Sequence, residues 1–568
     1  TVPTTRWASG FPLFRQRLAS RFRATVVGCR PMETRPNARR LQGLSAPRRW
    51  VWTCAQVLAC GLGFTSSVSC FAPSVGESPE VQQLYFPSGM VLDPRPAEGE
   101  ASKWLFVINA NSDLAFNGSS LVAVDLDELF SRAFNDPALQ GTSALPVNPD
   151  VLDVGSEVTE DKPCRRNVSK PQLIECDEGA VINPDTTVYM TTFATVAATW
   201  QSDPASDKVR LFTPVRGDPS VSYVDISGGL GGSKLKLDCG QGSDPDDPLR
   251  CDGGFRLKHL RGDEELVRLA TEPANIFISE RPGYPVAYVT HLNRPVVTLI
   301  DLDGIPGSGG KPVLIDEERL LHPTEVVGGF GIAERPCPLA GEGEEPSQGP
   351  GCDAPMVYVG HRELPRVEVA SIDLREPGVG QTCIDYSELG EPGGLLCDFE
   401  VLSESTFVPQ TLGGVGVGEL LGAPAFGDMA FSGDGNTLYI TQVNPGGLLR
   451  VDTSLDTDGE IRDETTGAIE MCAEPQALEL FEDGGEEFAA VSCYKPAEIF
   501  IVELKSFRVI RQVIAGTGPH EMVYDPVRKV LYAANTLDAT ISVIDVSKQR
   551  ETRFTEIARI GLQEPYGG

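Results

Sequence analysis

The stretch Gly518-Pro519-His520-Glu521-Met522-Val523-Tyr524-Asp525-Pro526 is followed by Val530-Leu531-Tyr532-Ala533-Ala534-Asn535 and then by Thr540-Ile541-Ser542-Val543-Ile544-Asp545. Short runs of β-branched, aromatic and aliphatic residues alternate here with turn formers. Runs this short do not make stable helices, and their composition suits a pleated, half-buried surface. Bounded closely by Gly, Pro, Asn and Asp, they read as three strands of an antiparallel meander.

The same unit recurs six times upstream. Phe86-Pro87-Ser88-Gly89-Met90 precedes Leu105–Asn109 and Leu121–Asp125. Val188–Thr192 precedes Ser222–Asp225. Pro273–Phe277 precedes Ala287–His291 and Val297–Asp301. Pro323-Thr324-Glu325 precedes Val357–His361 and Ala370–Asp373. Asp428–Phe431 precedes Leu438–Gln442 and Leu449–Asp452, and Pro475–Leu478 precedes Ala489–Cys493 and Phe500–Glu503. Two columns align through the seven units. A polar residue ends the second strand (Asn109, Thr192, His291, His361, Gln442, Cys493, Asn535), and an acid ends the third (Asp125, Asp225, Asp301, Asp373, Asp452, Glu503, Asp545). Their separation is 10 residues in four units and longer where a unit carries an insertion.

One small sheet cannot bury both of its faces, whereas sheets stacked radially bury them against each other and leave only short edges. The expected fold is therefore all-β: a seven-bladed β-propeller over residues 82–561, with blades near 82–128, 178–226, 270–303, 323–375, 424–455, 474–507 and 518–548. Either Thr555–Gly561 or Gln82–Tyr85 is expected to complete the last blade. No extended 3.6-residue apolar period is visible outside the segment near residue 50, so helices are not expected. Residues 129–178, 227–268, 304–322, 328–355 and 376–423 are rich in Gly, Pro and acid and read as insertions projecting from the disc.

Tyr288-Val289-Thr290-His291, and Leu531-Tyr532-Ala533-Ala534-Asn535 with Ser542-Val543-Ile544-Asp545, resemble the YVTN-type β-propeller repeat. The arrangement resembles exported bacterial propeller lipoproteins, with a WD40-like build. The resemblance implies the fold and export; it implies no particular activity.

Charge divides the chain. Residues 1–49 hold eleven Arg, no Lys and one acid (Glu33), whereas the whole chain carries −32. The acidic body excludes nucleic acid as a partner, because phosphate contact needs a basic patch. The basic head, expected to be unstructured, reads either as an over-extended start upstream of Met32 or as part of a long leader over 1–70, and it leads into an uncharged run at 50–70. A basic region followed by an apolar one is the pattern of a secretory signal. Val57-Leu58-Ala59-Cys60 and Ser67-Val68-Ser69-Cys70 both place a cysteine for lipoprotein-type cleavage, so Cys60 and Cys70 are alternative lipid-attachment sites; an uncleaved anchor competes with both. The expectation is a monomer in the periplasm or at the cell surface, held to the outer membrane by its lipid alone.

Ten further cysteines fall as neighbours: Cys164/Cys176, Cys239/Cys251, Cys337/Cys352, Cys383/Cys397 and Cys472/Cys493. An even count in close pairs without C-x-x-C points to local disulfides in an oxidising compartment rather than to zinc.

Residues just after the leading Pro of each innermost strand converge on the central channel. Asn275, Glu325, Asp428, His520 and Glu521 form the candidate channel-mouth site, able in principle to hold Ca²⁺ or another divalent cation or a small cationic ligand. The competing reading is a hydrated channel with a polar rim. Asp456-Thr457-Asp458-Gly459 and Asp301-Leu302-Asp303-Gly304 have carboxylate spacing that suits Ca²⁺ but equally suits turns, and His291 and His361 sit in the polar column, where a structural role is simplest. No nucleophile elbow, H-E-x-x-H, P-loop or haem motif is present, and no catalytic residue is assigned. Two functions follow. The first is a cell-envelope binding or scaffold module for a protein, peptide or glycan. The alternative is a lactonase-like hydrolase with a divalent metal at the channel mouth.

Overall fold

The computed structural model describes residues 77–562, apart from 98, 141–142, 246, 259–268, 280–284, 303–309, 319–327, 338–349, 353, 363, 365, 374–382, 386–394, 398–399 and 410–424. Seven antiparallel sheets follow one another along the chain. Their innermost strands are Pro87–Leu92, Ala198–Trp200, Pro273–Ile278, Gly329–Glu334, Phe426–Phe431, Pro475–Asp483 and Pro519–Asp525. Each packs against the next, and the first meets both the second and the last, so the ring is closed. The protein is a seven-bladed β-propeller, as the repeat implies.

The core is partitioned in the same way. Each of seven buried apolar clusters lies between two adjacent blades. Tyr288, Leu299, Val357 and Val359, for example, join the third blade to the fourth. Alternation along a strand sends neighbouring side chains to opposite faces, and both faces here are covered. That is why the second strands, such as Val286–His291 and Val530–Asn535, are buried at every residue.

Four expectations need correction. Val188–Met190 is not the second strand of blade two: it pairs with Ser119–Leu121 as the outer strand of blade one. Blade two is Ala198–Trp200, Lys208–Val215, Ser220–Ser227 and Lys236–Asp238, so Thr192 leaves the polar column and Val215, opposite Ser220, occupies its register. The innermost strand of blade four is Gly329–Glu334 rather than the Pro323-Thr324-Glu325 stretch. Among the described residues one α-helix is present, Leu126–Phe134, capped by the Asp125 carboxylate, which accepts from the Glu128 N–H. Its signal was available: Asp125 followed three residues later by Glu128 is a capping-box pattern, and Leu126, Leu129, Phe130 and Ala133 repeat at helical spacing.

Ring closure takes a form the repeat does not show. Thr555–Ile560 is the outer strand of blade seven, as one of the two expectations had it. Beyond it lies a hairpin from the blade-one insertion: Ile174–Cys176 runs parallel to Ala558–Ile560, and Cys164–Arg166 pairs outside it. The insertion thus crosses the seam between the first and last blades. The Cys164–Cys176 disulfide staples this hairpin. Disulfides Cys239–Cys251, Cys337–Cys352 and Cys472–Cys493 are formed as the spacing predicts. Cys383 and Cys397 face each other in backbone register on a two-stranded ladder, and their side chains lie outside the described residues. No helix among the described residues is long and apolar enough to cross a membrane.

Candidate functional site

Six of the seven innermost strands open with the same irregularity. Register shifts fall between Pro87 and Gly89, Pro273 and Asn275, Gly329 and Ile332, Phe426 and Met429, Pro475 and Leu478, and Pro519 and Met522. A bulge inserts one residue and re-aims side chains out of the ladder. Here the re-aimed residues face the axis. Asn275, Asp428, His520 and Glu521 line a single cavity of about 140 Å³ with Phe330, Gln476 and parts of blade two. Glu325, the fifth candidate, lies outside the described residues. Phe330 and Gly331 hold the corresponding bulge on blade four, so the polar residue expected from that blade is replaced by an aromatic one.

Asp428, Glu479, His520, Ser88 and Thr195 are each bonded into the neighbouring blade. Asp428 of blade five accepts the Leu478 N–H of blade six through Oδ2 at 3.0 Å, and its own Met429 N–H through Oδ1. Glu479 of blade six accepts the Tyr524 N–H of blade seven at 3.0 Å. His520 of blade seven donates Nδ1–H to the Ser88 carbonyl of blade one at 3.1 Å. Ser88 donates on to Thr195 O, and Thr195 to Ala274 O. The axis is thus encircled by side chains that satisfy backbone groups the bulges leave unpaired. Asn275 instead turns back, accepting from the N–H of Ile276.

Two carboxylates of this wall, Asp428 and Glu521, lie within electrostatic reach of a third from the blade between them, Glu479. Burial lifts Asp428 to about 6 against the two N–H groups that oppose the rise. Burial lifts Glu479 to about 8, helped by the charge of Asp428. Glu521 is also raised well above the ordinary carboxylate range, first by burial and then by Asp428 and Glu479. His520 is lowered by burial and stays neutral near pH 7. Sequence reading missed Glu479, because it stands two positions past the bulge, where strand alternation returns a side chain to the axis. Among the described residues no group of three His, Cys, Asp or Glu side chains is disposed to hold a metal ion.

The polar column is structural. His291 is fully buried, with Nε2 at 2.8 Å from Thr298 Oγ1 and Nδ1 at 3.3 Å from Thr271 O, and burial lowers it to about 4. His361 approaches Glu368 at 3.3 Å. Asn109 and Asn535 bond to hydroxyls on the third strand, Ser120 and Thr540. The acidic column makes turn and ion-pair contacts away from the axis: Asp545 accepts from the Ser547 N–H and from Arg550, and Asp225 pairs with Arg210. Asp456 accepts from the N–H groups of Asp458 and Glu460, which is turn chemistry. Asp303 and Gly304 of the other carboxylate pattern lie outside the described residues.

No family model matches the chain, and no curated protein matches it. Similar solved structures include the Pseudomonas aeruginosa periplasmic gluconolactonase, 12% identical, covering 77% of this chain and 87% of that one at a TM-score of 0.39. Kuenenia stuttgartiensis hydrazine synthase is 13% identical over 81% of this chain and 96% of the other, with a TM-score of 0.38. The β-propeller domain of Myceliophteria thermophila Cps50 is 10% identical over 82% and 98%, with a TM-score of 0.41. Likeness at this level transfers no activity.

Proposed function

We propose that the protein is an exported, lipid-anchored binding or scaffold module of the YVTN-propeller type, which holds a protein, peptide or glycan on its face and inserted loops. The carrying observation is how the axial polar groups are used. Asp428, Glu479 and His520 are engaged in backbone bonds between blades. Groups so engaged hold a ring together, and a metal or substrate taking them would have to break those bonds. The insertions support the same reading, since the disulfides Cys239–Cys251 and Cys337–Cys352 staple two of them. Export is supported by the four disulfides.

The alternative, a lactonase-like hydrolase with a divalent metal at the channel mouth, has one observation in its favour. Asn275, Asp428, His520 and Glu521 line one cavity, and Asp428 at about 6 has a basicity fit for proton transfer near neutrality. A single experiment separates the two. Purified protein is assayed for metal content and for hydrolysis of sugar lactones, beside Asp428→Asn. The binding reading expects no stoichiometric metal and no turnover. Turnover abolished by Asp428→Asn would replace it with the hydrolase.

A further inference from the structure

Blade two packs one face against blade three, where Phe212 and Tyr223 meet Ala287 and Val289. That apolar contact gives way toward the turn that joins Trp200 to Lys208. Two residues back along the same strands stand Arg210 and Asp225, and alternation keeps them on the same face. Register extends their row: Trp200 lies opposite Arg210, Arg210 opposite Asp225, and Asp225 opposite Asp238. Directly opposed residues project together, so the strands present one row, about 14 Å long at the usual strand spacing. Lys208 and Lys236, both opposite Ser227, stand one step farther out. These six side chains line a cleft of about 480 Å³.

Most of the charge in the cleft is matched. Arg210 forks onto Asp225 at 2.6 and 3.2 Å, and its remaining nitrogen donates to the Gly310 carbonyl of blade three at 2.7 Å. Lys236 pairs with Asp238 at 2.6 Å. The Lys208 ammonium has no ion pair among the described residues, which leaves the cleft one cation in excess in a chain that carries −32 overall. Trp200 adds a flat apolar surface. Among the described residues there are two tryptophans. Trp104 is buried and donates its indole N–H to the Gly229 carbonyl at 3.1 Å. Trp200 is half-buried at the cleft, and its indole N–H has no partner among the described residues. A part-open tryptophan beside fixed ionic groups is amphipathic in the way recognition surfaces are.

The backbone in the middle of the row is spent, because Arg210 is paired with Trp200 and Asp225, and Asp225 also with Asp238. Recognition there runs through side chains. That favours a ring bearing hydroxyls over an extended peptide, which would ask for main-chain bonds. Lys236 and Asp238 belong to the insertion after Ser220–Ser227, and the Cys239–Cys251 disulfide staples it one residue beyond Asp238.

We propose that the cleft between blades two and three binds an anionic sugar, a uronate unit of a glycan, with its ring against Trp200 and its carboxylate on Lys208. The proposal rests on the binding-module reading and selects a glycan from the partners that reading allows.

Calorimetric titration of the full chain with trigalacturonate tests it, beside the neutral galactose trimer and a Glu-Gly-Glu peptide. One saturable site is expected for trigalacturonate, with the neutral trimer about tenfold weaker. Lys208→Met should weaken trigalacturonate about tenfold and leave the neutral trimer unchanged. Trp200→Ala should weaken both sugars. Lys208 is exposed, so Lys208→Met is expected to keep the wild-type melting temperature and decides the matter even where Trp200→Ala unfolds. No binding of trigalacturonate, equal binding of the neutral trimer, tighter binding of the peptide, or an affinity unchanged in Lys208→Met each overturns the proposal and leaves the module reading standing. Recovery of trigalacturonate cleaved by the wild-type protein would instead overturn the module reading on which the site rests.

Discussion

At Arg528 a buried cation ties three parts of the chain together. The side chain is fully buried and bonds to Asp525 at 3.0 Å, to Asp127 at 2.6 Å, and to the carbonyls of Ser102 and Pro137. Removing one member of such a network strands the others without water. Arg528→Met is therefore expected to cost about 3–5 kcal/mol in urea unfolding. The axial carboxylates act with the opposite sign. Asp428, Glu479 and Glu521 are raised in the folded state, so the folded protein holds their protons more tightly than the unfolded chain. Their contribution is fully present below the unfolded carboxylate range and is lost as pH rises through about 6 for Asp428 and about 8 for Glu479. His520, lowered, loses its contribution on the acid side instead. Glu479→Gln/Glu521→Gln should thus raise the melting temperature at pH 8 and change it little at pH 4. The glutamine oxygen at 479 still accepts from Tyr524. Equal effects at both pH values would show that charge is not the cause.

At the scale of elements, the hairpin 164–176 decides how the ring closes. Its parallel pairing to Ala558–Ile560 brings the Cys176 carbonyl to the Gly561 N–H at 2.9 Å. Lys170 adds contacts to Ile514 O and to Glu556, each at 2.9 Å. Cys164→Ser/Cys176→Ser should cost roughly 3 kcal/mol, the value for a loop of this size. Hydrogen exchange should then speed up first in Thr555–Ile560, which borders the seam, and not in blades three to five. Uniform acceleration around the ring would argue against a seam-specific latch. The bulges impose a second demand, since they bring adjacent innermost strands into close approach. A Cβ on Gly331 would stand 2.2 Å from the Gly427 carbonyl. Gly331→Ala is expected to destabilise by about 1–3 kcal/mol, the range for overpacking, with thermal unfolding as the readout.

For the molecule as a whole, the excess of acid shapes solution behaviour. The chain carries −32 overall, and residues 1–49 are basic, so the propeller is more acidic than the total. Self-repulsion opposes compaction and is screened by salt. The melting temperature is expected to rise as NaCl goes from low values to about 0.5 M. A fall over that range would mean that ion pairs such as Arg528–Asp525 and Arg550–Asp545 outweigh the repulsion.

The number of blades, and the first three strands of five of them, were legible in the sequence, because strand alternation and turn chemistry are local and the repeat prints them again and again; the fourth strands were not, apart from Thr555–Ile560. Four of the five cysteine pairs were legible for the same reason, being close along the chain. Four of the five axial candidates stand at bulges in the innermost strands: Asn275, His520 and Glu521 follow a Pro that opens the strand, whereas Asp428 follows Phe426. Where the local signal weakened, reading failed. Blade two was misplaced because Val188–Met190 looks like any strand, and only its pairing with Ser119–Leu121 assigns it to blade one. Blade four was misplaced because its innermost strand begins with Gly329 rather than Pro. Other features are contacts between residues far apart in sequence: the latch that carries Ile174–Cys176 to Ala558–Ile560, and the bond from Asp428 to Leu478. Local sequence selects conformations residue by residue, whereas such contacts exist only once the ring has closed and brought separate blades within a hydrogen bond of one another.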